Sequence, residues 1–210
     1  MCYTVGMTNE QTARADALRQ LPGLLLPWYD ANRRDLPWRE NTDPYRVWVS
    51  EIMLQQTRVE AAKDHYIRFL AELPTVEALA ACDEKKLFKL WEGLGYYSRA
   101  RNLQRAAKIV AETGFPSTAE GWKKLPGVGD YTAGAIASIA FGQPSPAVDG
   151  NVIRVLARLL GDGREQETLK GAFAEELAPA YPPARRGDFT QSLMELGATV
   201  CTPSSPQCLA

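Results

Sequence analysis

Nowhere along this chain do apolar and polar residues alternate with period two, and no pair of apolar runs is joined by a hairpin turn. The punctuation is that of helices. Residues 1–15 carry no clear periodicity and are expected to form a frayed tail. A helix is predicted over 17–31, with Pro22 and Pro27 as awkward interruptions. Asp43-Pro44 reads as an N-cap followed by a first-turn proline, opening a helix over 47–55. Thr57 with Glu60 has capping-box spacing, so a second helix starts there and Gln55 and Gln56 fall at the junction. Asp83 caps a helix that ends at Gly93 or Gly95, Ser98 caps one that runs to about Glu112, and Asp188 caps FTQSLMELGATV. The pattern predicts an all-α fold built from many short helices.

Composition narrows this picture only a little. A chain of 210 residues, 45% hydrophobic and 23% charged, has enough apolar surface for one large domain or two small lobes. No run is apolar enough to span a bilayer, and there is no signal-peptide start. With 24 Lys and Arg against 25 Asp and Glu the net charge is -1, so a nucleic-acid partner must be met by local patches. Arg99, Arg101 and Arg105, preceded by Tyr96 and Tyr97, make one such patch, although a solvated helix face has the same look. Nothing indicates secretion, so Cys2, Cys82, Cys201 and Cys208 are expected to be reduced thiols.

The most informative stretch is LPGVGDYTAGAIASIAFGQPSPAVDGNVIRV. In Leu125-Pro126-Gly127-Val128-Gly129, Gly127 and Gly129 let backbone N–H groups approach an anion without side-chain obstruction. Asp130 is expected to cap the helix that follows, so the turn feeds a positive helix end whose natural guest is a backbone phosphate. Asp149 follows a Pro-rich bend and is expected to cap a helix over 152–160. This pattern resembles the helix-hairpin-helix, Gly/Pro-rich loop and aspartate of a family of DNA base-excision glycosylases. A second signature, LPWRENTDPYRVWVSEIMLQQTRV with GLGYYSRARN and ELGATVCTPSSPQC, resembles adenine DNA glycosylases, which remove adenine mispaired with 8-oxoguanine or guanine. The resemblance covers residues 24–208.

Glu51 lies one helical turn before Gln55 on the same face. Most such glutamates are surface carboxylates, but one held among Trp38, Leu54 and other apolar groups has its neutral form favoured, as a general acid requires. The resemblance gives Glu51 that role, on N7 of a flipped adenine. It places Asp149 where a carboxylate stabilises or covalently traps the oxocarbenium sugar, with Asn151 beside it. Tyr131 stands where the similar endonuclease III branch carries an attacking lysine; a phenol forms no Schiff base, which implies base removal without strand cleavage. The phenol is expected to position the Asp149 carboxylate or a nearby water. Gln55, Gln56, Thr57, Leu94 and Tyr96 match positions that wedge into the duplex or contact the opposing base, and Gly127 and Gly129 complete the DNA-binding set. Arg34, Trp38, Arg39, Leu54, Gln191 and Met194 match positions near the adenine pocket.

Cys201 and Cys208 look like the first half of the family's C-x6-C-x2-C-x5-C motif, whose four thiolates hold a [4Fe–4S] cluster. The third cysteine would fall just after Ala210, so the chain is expected to be cut short within the motif, to lack the domain that reads 8-oxoguanine, and to hold no stoichiometric cluster. Asp130 stands where family members often carry Arg. The resemblance implies an all-α, two-lobed protein with DNA in the cleft between lobes: a central module over 40–147 containing the helix-hairpin-helix, and a second lobe of 16–39 plus 148–210. Its partner is double-stranded DNA containing A:8-oxoguanine or A:G mispairs, bound by a monomer without a membrane. Two other readings stay open: a mismatch glycosylase for thymine opposite guanine, and a DNA-binding remnant without activity.

Overall fold

The computed structural model describes residues 8–208, and among them every regular element is a helix. In chain order they are α1 (Asn9–Asn32), α2 (Pro44–Leu54), α3 (Val59–Glu72), α4 (Val76–Ala81), α5 (Glu84–Trp91) and α6 (Ser98–Thr113). There follow α7 (Ala119–Trp122), α8 (Asp130–Phe141), α9 (Gly150–Leu160), α10 (Gln166–Leu177) and α11 (Arg186–Thr199), with 3-10 turns at Pro37–Arg39 and Ala178–Ala180. The all-α expectation holds. No described helix is long and apolar enough to cross a membrane. Positions 1–7 of the expected tail, Cys2 among them, lie outside the described residues.

The chain forms two compact units, one of residues 34–145 and one of the chain up to Arg33 together with the chain from Pro146 onward. The sequence reading put the junction between 39 and 40. It falls earlier because the Pro37–Arg39 turn packs with α2 and α3, where Trp38 meets the Tyr66 ring edge-on at 5.5 Å.

In the 34–145 unit, Asp43 accepts from the Arg46 amide and Pro44 occupies the first turn, so α2 starts as its sequence dictates. The run Val47 to Met53 is then buried on all sides. Trp48 packs edge-on against Trp122 at 5.3 Å, and Phe69 against Trp91 at 6.0 Å. Helix α8 is buried from Thr132 to Ser138, and apart from Ile136 the side chains there are small, which lets the helix pack closely against α2.

The other unit packs α1, α9, α10 and α11 around Leu25, Leu156, Phe173, Leu177 and Phe189. Helix α1 runs unbroken through Pro22 and Pro27. An interior proline costs about 3 kcal/mol of helix propensity, and burial of Leu18, Leu21 and Leu25 offsets it. The helix also begins at Asn9, inside the expected tail, because Thr8 and Gln11 form a reciprocal capping box.

Four other predicted caps are corrected. Helix α3 starts at Val59 after Arg58, and the Thr57 hydroxyl bonds the Gln55 carbonyl. Ser98 is the first residue of α6, preceded by Tyr97 in helical conformation. Helix α8 is preceded by Gly129, with Asp130 inside its first turn. Helix α11 follows Arg185, and Asp188 accepts from the Arg185 guanidinium at 2.8 Å. Asp130 and Asp188 are held instead by ion pairs, with Lys123 and Arg185.

Arg14 of α1 bonds Asp162, just past α9, at 3.0 Å and Glu176 of α10 at 2.9 Å, while Arg164 bonds Asp162 at 2.7 Å. Hydrogen bonding from Arg164, and then from Arg14, holds the Asp162 carboxyl well below the usual carboxylate range. Its contribution to stability is therefore present above the unfolded value of about 4 and lost as pH falls toward the depressed folded value. Asp162→Asn should lower Tm at neutral pH and flatten the fall in Tm between about pH 4 and pH 2. Thermal melts across that range check it; parallel wild-type and variant curves would count against the network.

Candidate active site and DNA-facing turns

Within the 34–145 unit, α2 presents Glu51, only 7% exposed, one turn before Gln55, which ends the helix. The chain then turns sharply at Gln56, whose φ of 56° is unusual for a residue with a side chain and leaves it exposed. The Gln55 amide reaches α8, donating to the Thr132 hydroxyl at 3.2 Å. The second turn, after α5, needs Gly93 (φ 97°) and Gly95 (φ 68°) and holds Tyr96 at φ 46°. Tyr96 is 63% exposed, whereas Leu94, expected to reach DNA, is in the core at 6%. A left-handed conformation in a residue with a side chain stores about 1–3 kcal/mol of strain, and the two exposed candidates for base contact, Gln56 and Tyr96, both carry it.

Of the expected basic patch, one arginine turns inward and two stay exposed. Arg99 turns inward and bonds carbonyls of both turns; burial lowers its pKa and the neighbouring Tyr96 raises it. Arg101 bonds Glu84 at 2.9 Å and lies over the Phe88 ring. Arg105 remains exposed.

Helices α7 and α8 with the loop between them form the helical hairpin. Gly127 has φ 77°, and a Cβ there would meet the Asn102 side chain at 2.7 Å, so both conformation and space demand glycine. Gly129 is extended and exposed in front of α8. Asp130 is ion-paired with Lys123, which neutralises the carboxylate that stands beside the hairpin. Tyr131 is the second residue of α8 and half-buried. Of the remaining adenine-pocket candidates here, Leu54 is half-buried, Trp38 is buried against Tyr66, and Arg39 folds back to donate to the Arg34 carbonyl at 3.1 Å.

The other unit carries Asp149. It caps α9 as expected, one carboxylate oxygen accepting from the Val152 amide at 2.8 Å and the other from the Asn151 side-chain amide at 2.8 Å. Asn151 in turn accepts from Arg154 at 2.7 Å, and Arg154 also donates to the carbonyls of Gly197 and Cys201, each at 2.7 Å. Arg154 and Gly197 were not singled out from the sequence. The available signal was spacing: Arg154 follows Asn151 by three residues on one helix. Gln191 and Met194 are half-buried on α11, Met194 against the apolar core.

Cys201 is half-buried, with Arg158 donating to its Sγ at 3.3 Å and to the Thr202 carbonyl at 2.8 Å; Cys208 is exposed. Among the described residues no group of three or more His, Cys, Asp or Glu side chains could hold a metal ion. Two thiols are half of a four-thiolate set, so these residues by themselves do not fit a [4Fe–4S] cluster.

The helical hairpin, the turn-rich α2 and the capping aspartate define a class of DNA-repair fold. A solved thermostable thymine-DNA glycosylase shares it with a TM-score of 0.78 at 26% identity, covering 95% of this chain and 91% of that one. A trapped endonuclease III–DNA covalent intermediate shares the fold at TM-score 0.75 and 24% identity. Residues 49–179 match the HhH-GPD superfamily of base excision DNA repair proteins, and the chain belongs to that family. It is 52% identical over 198 residues to the adenine DNA glycosylase of Mus musculus and 50% identical over 200 residues to that of Homo sapiens. It is 38% identical over 194 residues to that of Buchnera aphidicola subsp. Schizaphis graminum. These matches cover 88 or 89% of this chain but only 38, 37 and 55% of the relatives, so the chain spans between about a third and a half of their length.

At Gly197, α11 lies close against α9. A Cβ there would lie 2.6 Å from the Asn151 Cβ and 3.0 Å from its Cα and carbonyl oxygen, so backbone would have to move. Gly197→Ala should cost about 1–3 kcal/mol by overpacking, and a Tm drop of several degrees in thermal melts checks it. An unchanged Tm would mean that the two helices separate freely here.

Proposed function

We propose that the protein is a monofunctional glycosylase that hydrolyses the N-glycosidic bond of adenine mispaired with 8-oxoguanine or guanine in duplex DNA, acting as a monomer. The observation that supports this best is the contrast between its two carboxylates. Glu51 is buried on α2, with little access to water. Asp149 has both oxygens hydrogen-bonded, one to the Val152 amide and the other to the Asn151 side chain. In this reading the protein turns adenine out of the stack, with Gln56 and Tyr96 at the vacated site and the Gly127–Gly129 hairpin on a backbone phosphate. Glu51 donates its proton to N7, and the C1′–N9 bond breaks with its electron pair leaving on the base. Asp149, aligned by Asn151, counters the cationic sugar. Water then adds to C1′, and the proton it releases returns Glu51 to its acid form.

Glu51→Gln keeps the shape and removes the acid. Excision should fall by about 10²–10⁴-fold with duplex binding retained, measured by single-turnover release of adenine opposite 8-oxoguanine. Near-normal release would remove Glu51 from the role. The likeness to a thymine-DNA glycosylase makes thymine opposite guanine the control substrate, and faster release of thymine than adenine would replace this reading.

Tyr131 bears on whether the strand is cut. A phenol cannot form an imine with C1′, so the wild type should give no borohydride-trapped adduct above background. Tyr131→Lys places an amine at the start of α8, where the positive helix end disfavours its charged form and leaves some free base. The variant should therefore give a trapped protein–DNA adduct under the same conditions. Efficient trapping and strand cleavage by the wild type would contradict the monofunctional assignment.

A further inference from the structure

Two turns carry the residues assigned above to the vacated base site, and one side chain bonds them both. The Arg99 guanidinium donates through Nη1 to the carbonyls of Ile52 (3.0 Å), Met53 (3.2 Å) and Gln55. Through Nη2 it donates to the carbonyls of Leu94 (2.8 Å) and Gly95 (3.3 Å) and to the Thr57 hydroxyl (3.4 Å). Its plane also lies near the rings of Trp91 and Tyr96, at 5.6 and 5.7 Å. The carbonyls of Ile52 and Met53 belong to the last turn of α2, which has no following helical amides to bond and whose dipole favours a cation.

The positions of the bonded groups matter more than their number. Gln55 immediately precedes Gln56, and Gly95 immediately precedes Tyr96; these two residues have left-handed backbones without being glycine. Each strained residue therefore has the peptide in front of it fixed by the same guanidinium. A planar fork serves two separate segments because its two amino groups point in fixed, divergent directions; a lysine ammonium is a single point and cannot.

We propose that Arg99 is a positioning residue that holds the Gln56 turn and the Tyr96 turn as one rigid element for mispair recognition. This rests on the assignment of those turns to DNA. Arg99 touches no reacting atom; it sets the backbone from which Gln56 and Tyr96 project. With it gone, each turn relaxes separately toward ordinary backbone angles, and the geometry needed to enter a base stack is lost, while the hairpin that meets phosphate is left in place.

The test is Arg99→Lys, with binding measured to a duplex carrying a non-excisable 2′-fluoroadenosine opposite 8-oxoguanine and to the fully paired duplex. Affinity for the mispaired duplex should fall about tenfold or more, with affinity for the paired duplex changed less than about twofold. Amide exchange at Thr57 and Leu94, which bond the Leu54 and Trp91 carbonyls, should accelerate together while exchange in α3 stays unchanged. A folded variant that keeps its mispair preference, or in which only one turn loosens, overturns the proposal, and so does a parallel fall in both affinities with Tm. If the variant does not fold, wild-type exchange decides: under one clamp the two amides show protection within about threefold of each other across temperature, and wide divergence overturns it. A wild type that shows no mispair preference instead refutes the adenine reading, and the exchange data still judge the clamp.

Discussion

Small residues along α8 let it lie directly against the buried run of α2, and much of the 34–145 unit is arranged by that contact. It fixes the depth at which Glu51 sits, because α2 cannot rotate without driving Val49, Ile52 or Met53 into water. It brings the end of α2 within reach of the Thr132 hydroxyl, so the Gln55 amide is tied to the same helix that begins at the hairpin. Trp48 against Trp122 carries the contact on to α7, the other arm of that hairpin. Glu51 and the hairpin loop are thus held by one packed surface, although they lie far apart in sequence.

A different constraint governs Asp149. A capping aspartate contributes about 0.5–2 kcal/mol to its helix, and that alone would account for its presence. Capping uses only one oxygen, on the Val152 amide. The second is held by Asn151, which is itself held by Arg154, and Gly197 leaves room for Asn151 to sit there. The Asn151 and Arg154 bonds fix the orientation of the carboxylate beyond what the cap alone requires, so the structural reading and the proposed one are compatible.

How far the sequence revealed this depended on the range of each interaction. Asp43 and Asp149 were legible as caps because their partners lie three residues away. Ser98, Thr57, Asp130 and Asp188 carried the same local signal and were misread, since Asp130 pairs with Lys123 and Asp188 with Arg185. The start of α1 was missed although Thr8 and Gln11 are at capping-box spacing, because its first turns are exposed and carry no apolar stripe. The motif around Glu51 identified the residue; its burial depends on α8, about eighty residues on, and no local pattern encodes that. Leu94 shows the limit from the other side, since a position matched to DNA contact is occupied by a core side chain.

The arginines carry the furthest consequence. Read along the chain, Arg99, Arg101 and Arg105 after two tyrosines look like a phosphate-binding stripe. In the fold Arg99 is committed to backbone carbonyls and Arg101 to Glu84, while Lys123 is committed to Asp130. With a net charge of -1 there is no broad positive field to replace them. Other cations stay exposed, among them Arg105 and, beside the hairpin, Lys124; in the proposed reading they share phosphate contact with the hairpin amides. Such contacts fix register on a duplex and carry no sequence information. Under the proposed clamp, discrimination falls to the shape of the two turns at Gln56 and Tyr96, whose backbones the inward-turned Arg99 holds.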